Sequence, residues 1–326
     1  MTTVTRESLS IDCAAVAAAI EESIRSHVRG TLKRRGIVVG LSGGIDSSVV
    51  GALAVRALGG ERVLGLFMPE RDSSGDSLRL GRLLADAFAM KAIVEDVGPA
   101  LDGLGCYERQ NEAIRSVFPE YGAGYKCKLT LPSILESDRL NVFRLTIETP
   151  SGETKSARMP PEAYLQLVAA TNFKQRARKM MEYYHADRLG FAVAGTPNRL
   201  EYDQGFFVKQ GDGAADVKPI AHLYKTQVYA LAEHLGVPKE ICERPPTTDT
   251  YSLAQTQEEF YFALPYDRMD LCLYAFNHHV AAADVAGAVG LAPEQVERVF
   301  KDIEAKRRTT RYLHARPLLV EPVGEV

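Results

Sequence analysis

The sequence predicts an α/β fold: a doubly wound, Rossmann-like parallel sheet carrying an inserted β-hairpin region and helices at its C-terminal end. Three observations predict it. Short β-branched or apolar runs alternate with stretches of helical spacing between residues 36 and 97. A glycine-rich turn joins the first of those runs to the helix after it, where open parallel sheets bind their ligands. Beyond residue 103 the alternation breaks, and a period-two pattern with turn residues takes its place.

Apolar spacing from Ile11 to Val28, with Glu21 and Glu22 on the polar face, predicts a leading amphipathic helix. Gly36–Leu41 is a strand, Ser47–Leu58 a helix, Arg62–Met68 a strand, Ser77–Met90 a helix and Lys91–Val97 a strand. Pro99 opens the next helix, where its missing N–H costs nothing. From Gly103 to Ala170, Phe118-Pro119, Gly122, Gly124 and Pro132 punctuate the chain. Asn141–Thr149 then alternates, Pro150-Ser151-Gly152 turns, and Glu153–Met159 returns, which together predict a β-hairpin. Helical spacing resumes from Glu162 to His185, followed by a buried-strand run, Phe191–Ala194. Residues 196–223 read as loop, with a turn at Gly211-Asp212-Gly213. Leu223–Leu235 is a helix stopped by Gly236 with Pro238 beyond. Pro245-Pro246 and Thr247–Gln257 form a polar loop, and the last helix is Pro293–Arg308.

At 326 residues, 46% hydrophobic and 25% charged, the chain has the composition of a globular protein with a full core. Its formal net charge of −3 argues against a broad nucleic-acid-binding face. Cys13, Cys106, Cys127, Cys242 and Cys272 are scattered and odd in number, with no Cys-x-x-Cys pair. Neither a zinc site nor a disulfide framework is indicated, and reduced thiols in a cytoplasm are expected. No export signal or membrane span is read in the sequence.

The chemistry concentrates in residues 36–48, Gly-Ile-Val-Val-Gly-Leu-Ser-Gly-Gly-Ile-Asp-Ser-Ser. A strand, a tight turn and a helix start offer backbone N–H groups and a positive dipole end to phosphate. Gly43 and Gly44 let the backbone approach an anion. Ser42, Ser47 and Ser48 can donate to phosphate oxygens, and Asp46 can hold a divalent cation. An ordinary strand–turn–helix with a polar cap is the plainer reading. No Gly-Lys-Ser/Thr of a Walker loop stands here, and no spaced Gly-x-Gly-x-x-Gly. The later loops add Gly195-Thr196-Pro197-Asn198 with Glu201, then Lys209 and Gly211-Asp212-Gly213-Ala214-Ala215-Asp216. Leu223-Tyr224-Lys225-Thr226 and Pro245-Pro246-Thr247-Thr248-Asp249 follow.

The first loop resembles the pyrophosphate loop of the N-type ATP pyrophosphatases, which split ATP between its α and β phosphates. With the later motifs, the chain resembles the ammonia-dependent NAD synthetase family over roughly residues 35–100 and 170–310. The resemblance implies one such domain over residues 1–326, in which 103–170 is longer than in compact members. It implies that Gly40, Leu41, Ser42, Gly43, Gly44, Ile45, Asp46, Ser47 and Ser48 hold ATP phosphates, and that Thr196, Lys225 and Thr247 contact ATP. It makes Asp46 and Glu201 the Mg2+ ligands, and Arg176, Lys209, Asp216 and Lys306 contacts for deamido-NAD, the nicotinate dinucleotide. Asp46 and Lys225 then serve catalysis, and Asp212 or Asp216 takes the proton from ammonium. Where the family has His-Lys-Arg, this chain has Ala305-Lys306-Arg307.

The activity so implied is ATP-dependent amide formation: deamido-NAD, ATP and ammonia give NAD, AMP and pyrophosphate through an acyl-adenylate. Only about 35 residues precede the first strand, so ammonia is expected free or from a separate glutaminase partner. The resemblance also implies a homodimer. A paralogous ligase for another carboxylate is the rival, and pyrophosphate release with only that acid would reveal it. A regulatory protein that binds ATP without turnover is the reading from another class, and intact Asp46, Glu201, Lys225 and Thr247 argue against it. Arg176 shares its helix with Lys174, Arg178 and Lys179, so a solvated basic face competes with ligand contact there. His278-His279 reads as surface or packing, and Met180-Met181 with Tyr183-Tyr184 as core.

Overall fold

Ile37, Val38 and Val39 are fully buried, and everything around the candidate site is built outward from them. The computed structural model describes residues 4–131, 143–247, 250–262 and 264–324. The expectations for Pro132, Asn141 and Thr248-Asp249 lie outside the described residues. The chain runs α1 (Cys13–Arg25), β1 (Ile37–Gly40), α2 (Ile45–Leu58), β2 (Val63–Phe67), α3 (Gly75–Ala87), β3 (Lys91–Val94) and α4 (Gly98–Gly103). It continues with α5 (Cys106–Arg115), β4 (Lys126–Thr130), β5 (Arg144–Glu148), β6 (Thr154–Arg158), α6 (Pro161–Leu189), β7 (Ala192–Ala194) and α7 (Arg199–Gln204). The C-terminal part holds α8 (Lys225–Leu235), α9 (Lys239–Glu243), α10 (Tyr266–Asn277), α11 (Ala282–Val289) and α12 (Pro293–Thr310).

Among the described residues the main sheet has four parallel strands in the order β3-β2-β1-β7. Strand side chains alternate faces, so Ile37 and Val39 join Ile20, Ile24, Leu53 and Leu231 in a layer built on α1, α2 and α8. Val38, Leu64 and Leu66 face the other way, against Leu101, Tyr107, Ala177 and Ala186 from α4, α5 and α6. Helices on both faces explain why β1, β2 and β7 are apolar throughout rather than alternating. The order also fixes where a ligand goes. From β1 the chain steps outward to β2 and β3, then returns to add β7 on the opposite side of β1. The crevice of such a sheet lies at the carboxyl ends of the strands flanking that reversal. The loops after β1 and β7 must therefore face each other.

Two expectations about elements are corrected. Residues 103–170 hold more than a hairpin: β4 pairs with β5 in an antiparallel sheet of order β4-β5-β6, and α5 precedes it. Cys127, Leu129, Leu145 and Ile147 form its buried face, packed on Leu167 of α6 and on Tyr251. The stretch 196–223, expected as loop, contains α7, capped by Asn198 and Glu201 acting reciprocally. Behind α7 stand α10, α11 and α12, whose core includes Leu200, Met269, Val296, Val299 and Ile303. Arg307 of α12 grips Asp203 of α7 with two N–H donors. The C-terminal helices thus hold the segment that carries Glu201.

Met180 and Tyr184 are 57% and 56% exposed, against the expectation of core, because they lie on the outward side of the long helix α6. Met181 and Tyr183 are half-buried against the core. His278 is exposed and its ring stacks on Tyr274 at 4.0 Å, and His279 is exposed beside it.

Candidate active site

A cavity of about 460 Å³ opens at the carboxyl ends of β1, β2 and β7, a size suited to one nucleotide-like ligand. Its floor is the turn between β1 and α2. Gly43 holds φ +73°, and a Cβ there would stand 2.6 Å from the Ser77 carbonyl oxygen. Only glycine fits such a position. The Ser47 hydroxyl donates to the Gly44 carbonyl at 3.0 Å and receives the Ser42 N–H at 3.3 Å. Gly40, Leu41, Ser42, Gly44, Ile45, Asp46 and Ser47 line the cavity. Gly43 and Ser48 do not. Gly43 backs onto Ser77, and the Ser48 hydroxyl turns back to the Gly44 carbonyl at 2.8 Å.

The turn after β7 supplies the facing wall. Thr196, Pro197 and Glu201 line the same cavity, as do Lys225 at the start of α8 and Thr247. Lys225, 2% exposed in its side chain, forms an ion pair with Asp46. Asn198 joins the two loops. Its Nδ2 donates to Asp46 Oδ1 at 3.0 Å, and its backbone N–H donates to Glu201 Oε2 at 3.1 Å. Gln257 donates to the other Glu201 oxygen at 3.0 Å.

The electrostatics follow from this crowding. Burial pushes the Glu201 carboxyl up to about 8, aided by the Asp46 charge and opposed by Lys225, the Asn198 N–H and Gln257. Burial alone would weaken the Lys225 ammonium, but the charges of Asp46 and Glu201 outweigh it and raise its pKa. The described residues hold no group of three or more His, Cys, Asp or Glu side chains placed to bind a metal. Two carboxylates from separate loops nonetheless suit Mg2+, which keeps several waters and takes phosphate oxygens for the rest. The donor set therefore fits that ion.

Of the two candidate proton acceptors, Asp212 lines the cavity and Asp216 does not. Asp212 accepts the Val208 N–H at 2.8 Å, and burial raises its pKa. Asp216 is exposed, and its carboxylate is engaged by the Val193 N–H at 2.7 Å and by the Tyr183 hydroxyl at 3.3 Å. Arg176, Lys209 and Lys306 also lie off the cavity wall. Arg176 donates to the Lys209 carbonyl at 3.3 Å, and the Lys209 ammonium donates to the Tyr312 carbonyl at 2.8 Å. Lys306 lies largely covered behind the wall, donating to the Tyr261 carbonyl at 2.6 Å and pairing with Asp302 at 2.7 Å.

Several wall residues had no assigned role from sequence. Arg178 donates to the Met68 carbonyl at 3.1 Å and reaches the cavity, although its basic neighbours in the sequence suggest a solvated face. Lys174, fully buried, pairs with Asp72 at 2.6 Å and Glu70 at 3.2 Å and donates to the Thr250 carbonyl at 2.9 Å, tying two loops beside the cavity together. Phe143, Tyr164, Tyr251 and Phe260 form an aromatic side to the cavity, with Phe143 stacked on Tyr164 at 4.5 Å. The inserted sheet therefore reaches the site rather than standing apart from it.

A parallel sheet with a lysine-free glycine turn, a buried lysine and a two-loop carboxylate pair defines a nucleotide-handling α/β protein. The NAD synthase family model matches residues 16–116 and 137–311. The unmatched residues between them include β4. The chain is 64% identical over 317 residues to the NH3-dependent NAD+ synthetase of Mesorhizobium japonicum, covering 97% of this chain and 99% of that one. It is 61% identical to the enzyme of the same name from Rhizobium meliloti, over 98% of this chain and 96% of the other. Among solved structures, the NH3-dependent NAD synthetase of Campylobacter jejuni superposes with a TM-score of 0.62 at 20% identity, over 96% of this chain and all of that one. The NMN synthetase of Francisella tularensis gives 0.64 at 21%, over 95% and 99%. At such identities the two structures speak for the fold alone. This chain belongs to the NAD synthase family.

Proposed function

We propose that this chain is an ammonia-dependent NAD+ synthetase, a ligase that joins ammonia to the carboxylate of deamido-NAD at the expense of ATP. The observation that carries the reading is the meeting of Asp46, Lys225 and Glu201 at the glycine turn, three residues drawn from separate stretches of the chain. In the first step the substrate carboxylate attacks the α-phosphorus, the bond to the β-phosphate bridge breaks, and pyrophosphate leaves. The turn holds the departing phosphates with backbone N–H groups and the Ser42 hydroxyl, joined by the Ser47 hydroxyl once it turns from the Gly44 carbonyl to the phosphate. Lys225 neutralises the charge that grows on the leaving group. Thr196 contacts ATP from the loop after β7, and Thr247 from the loop after α9. Asp46 and Glu201 would hold Mg2+, which when bound supplies charge neutralisation for the phosphates.

In the second step ammonia attacks the acyl carbon and AMP leaves. Ammonium must lose a proton first, and we take Asp212 rather than Asp216 as the acceptor because it faces the cavity, where burial raises its affinity for a proton above that of an ordinary carboxylate. Arg176 and Lys209, joined to each other off the cavity wall, bind the part of the dinucleotide that extends beyond the cavity. Asp216 supports them by anchoring the loop, and Lys306 by holding the Tyr261 wall. Residues 1–326 act as one domain, with 103–170 shaping the pocket. The enzyme works as a homodimer in a reducing cytoplasm, on free ammonia or ammonia from a separate glutaminase.

Purified protein with ammonium, ATP and deamido-NAD should form NAD, AMP and pyrophosphate in equal amounts. Glutamine in place of ammonium should give no turnover. AMP release that requires some other acid, such as the corresponding mononucleotide, would overturn the substrate assignment.

A further inference from the structure

Helix α8 begins at the residue whose side chain matters most, and its own N-cap is poorly suited to start it. Tyr224 stands at that position, and its side chain makes no capping hydrogen bond. The first N–H groups of a helix have no partner within the helix, and Ser, Thr, Asp or Asn normally supplies one. Here the Tyr224 N–H goes to the Gln227 side chain at 3.0 Å. The next two donors go to a residue on another helix. Asp270 of α10 is fully buried, and one carboxylate oxygen accepts the Lys225 N–H at 3.2 Å while the other accepts the Thr226 N–H at 2.7 Å. A carboxylate at a helix N-terminus is also favoured by the helix dipole.

The consequence is geometric. α8 packs on α2 and on α10, so the backbone of Lys225 is pinned from the α10 side while its ammonium is engaged by Asp46 at the start of α2. Asp46 is in turn held by Asn198, which also holds Glu201. Asp270 is the buried end of this chain of contacts and touches none of the cavity.

We propose that Asp270 is a positioning residue that, by capping α8 from α10, fixes where the Lys225 ammonium stands against Asp46 and the phosphates of ATP. This inference rests on the role given to Lys225 above. Without the bidentate cap, the first turn of α8 frays and Lys225 loses its fixed origin, although its side chain is intact. Misplacement of a reacting group by about 1 Å costs on the order of a hundredfold in rate.

The test compares Asp270→Ala, Asp270→Asn, Lys225→Met and Leu273→Ala with the parent chain. Leu273 is a fully buried residue of α10 that does not line the cavity, so its truncation reports loss of packing on the same helix. Each folded variant is assayed for pyrophosphate release in a single turnover, for kcat, and for KM of ATP and of deamido-NAD. Asp270→Ala should slow pyrophosphate release by about 10- to 100-fold with the deamido-NAD KM within about twofold. Asp270→Asn, which keeps one accepting oxygen but sets an amide N–H against the other backbone donor, should be slowed measurably but less than Asp270→Ala. Leu273→Ala should melt earlier and turn over at the parental rate. An Asp270→Ala enzyme that only melts earlier, like Leu273→Ala, overturns the inference. Should Asp270→Ala not fold, a parental rate in Asp270→Asn together with equal melting of the two enzymes overturns it as well. Unchanged turnover in Lys225→Met would instead overturn the role of Lys225 itself, and an inactive Lys225→Met beside a normal Asp270→Ala would remove only the positioning claim.

Discussion

Asp46, Asn198, Glu201 and Lys225 form one connected group in which each charge leans on another, so single replacements leave a buried partner uncompensated. Lys225→Met should lower kcat by on the order of 10²- to 10³-fold, about 3–4 kcal/mol of barrier, as losing a donor to developing charge does elsewhere. Steady-state AMP release measures it. A loss under fivefold would remove Lys225 from the chemistry. Asp270 makes a second prediction at this scale. Burial pushes its carboxyl up to about 6, with the Thr226 and Lys225 N–H groups and the Lys225 charge pulling back. The native chain then binds the proton more tightly than the unfolded chain does. The stability this contributes is fully present below about pH 4, the unfolded value, and is lost as pH rises through 6. Denaturant melts of the parent should show that decline over the window, and Asp270→Asn should flatten it. A parent curve with no such slope would mean that Asp270 stays charged throughout. Asn198 was readable in outline, since Asn-x-x-Glu is a capping-box spacing, but its bridging bond to Asp46 depends on two loops 152 residues apart. Asp270 carries no local signal at all, because its partner is a helix end elsewhere in the chain.

At the scale of elements, the alternating part of the sequence reads cleanly because buried strands and amphipathic helices impose different periods. The missed pieces each had a weak local pattern. β4 is five residues, Lys-Cys-Lys-Leu-Thr, whose buried Cys127 and Leu129 alternate with two lysines and give too short a run to stand out. α5 puts Gln110 on its buried face, which spoils an apolar stripe. α7 is six residues, below what helical spacing can reveal, and only its cap announces it. The turn between β1 and α2 was legible because its glycine need is steric. Gly43→Ala tests that reading, since the residue must hold φ +73° and a new Cβ would stand 2.6 Å from the Ser77 carbonyl. The variant should lose on the order of 1–3 kcal/mol of stability and weaken ATP binding more than dinucleotide binding. Titration calorimetry with each ligand checks it. Equal weakening of both ligands would mean that the turn supports the whole cavity rather than the phosphates.

Across the whole molecule, the sheet reversal brings the turn after β1 to the turn after β7, and the C-terminal helices clamp α7 from behind. No helix among the described residues is long and apolar enough to cross a membrane. Among the described residues, helix α6 is one element that leaves large apolar side chains exposed in the single chain. Leu165, Met180 and Tyr184 of α6 are 65%, 57% and 56% exposed. With 3.6 residues per turn they fall within an arc of about 100°, spread over roughly 28 Å of helix. Arg176 falls inside the same arc and is exposed too. An apolar stripe of this kind is what a twofold contact between identical chains would cover. If it does, the dinucleotide contact at Arg176 borders the interface, and each site depends on both chains. Light scattering at micromolar concentration should give twice the chain mass for the parent. The pair Met180→Glu and Tyr184→Glu should shift it to monomer, because two carboxylates would be buried against their own copies. The same variant should raise the KM for deamido-NAD about tenfold or more, the loss of one or two charge-assisted contacts, while single-turnover pyrophosphate release at saturating dinucleotide changes little. A parent that runs as a monomer with full activity would separate α6 from assembly and leave Arg176 to act within one chain.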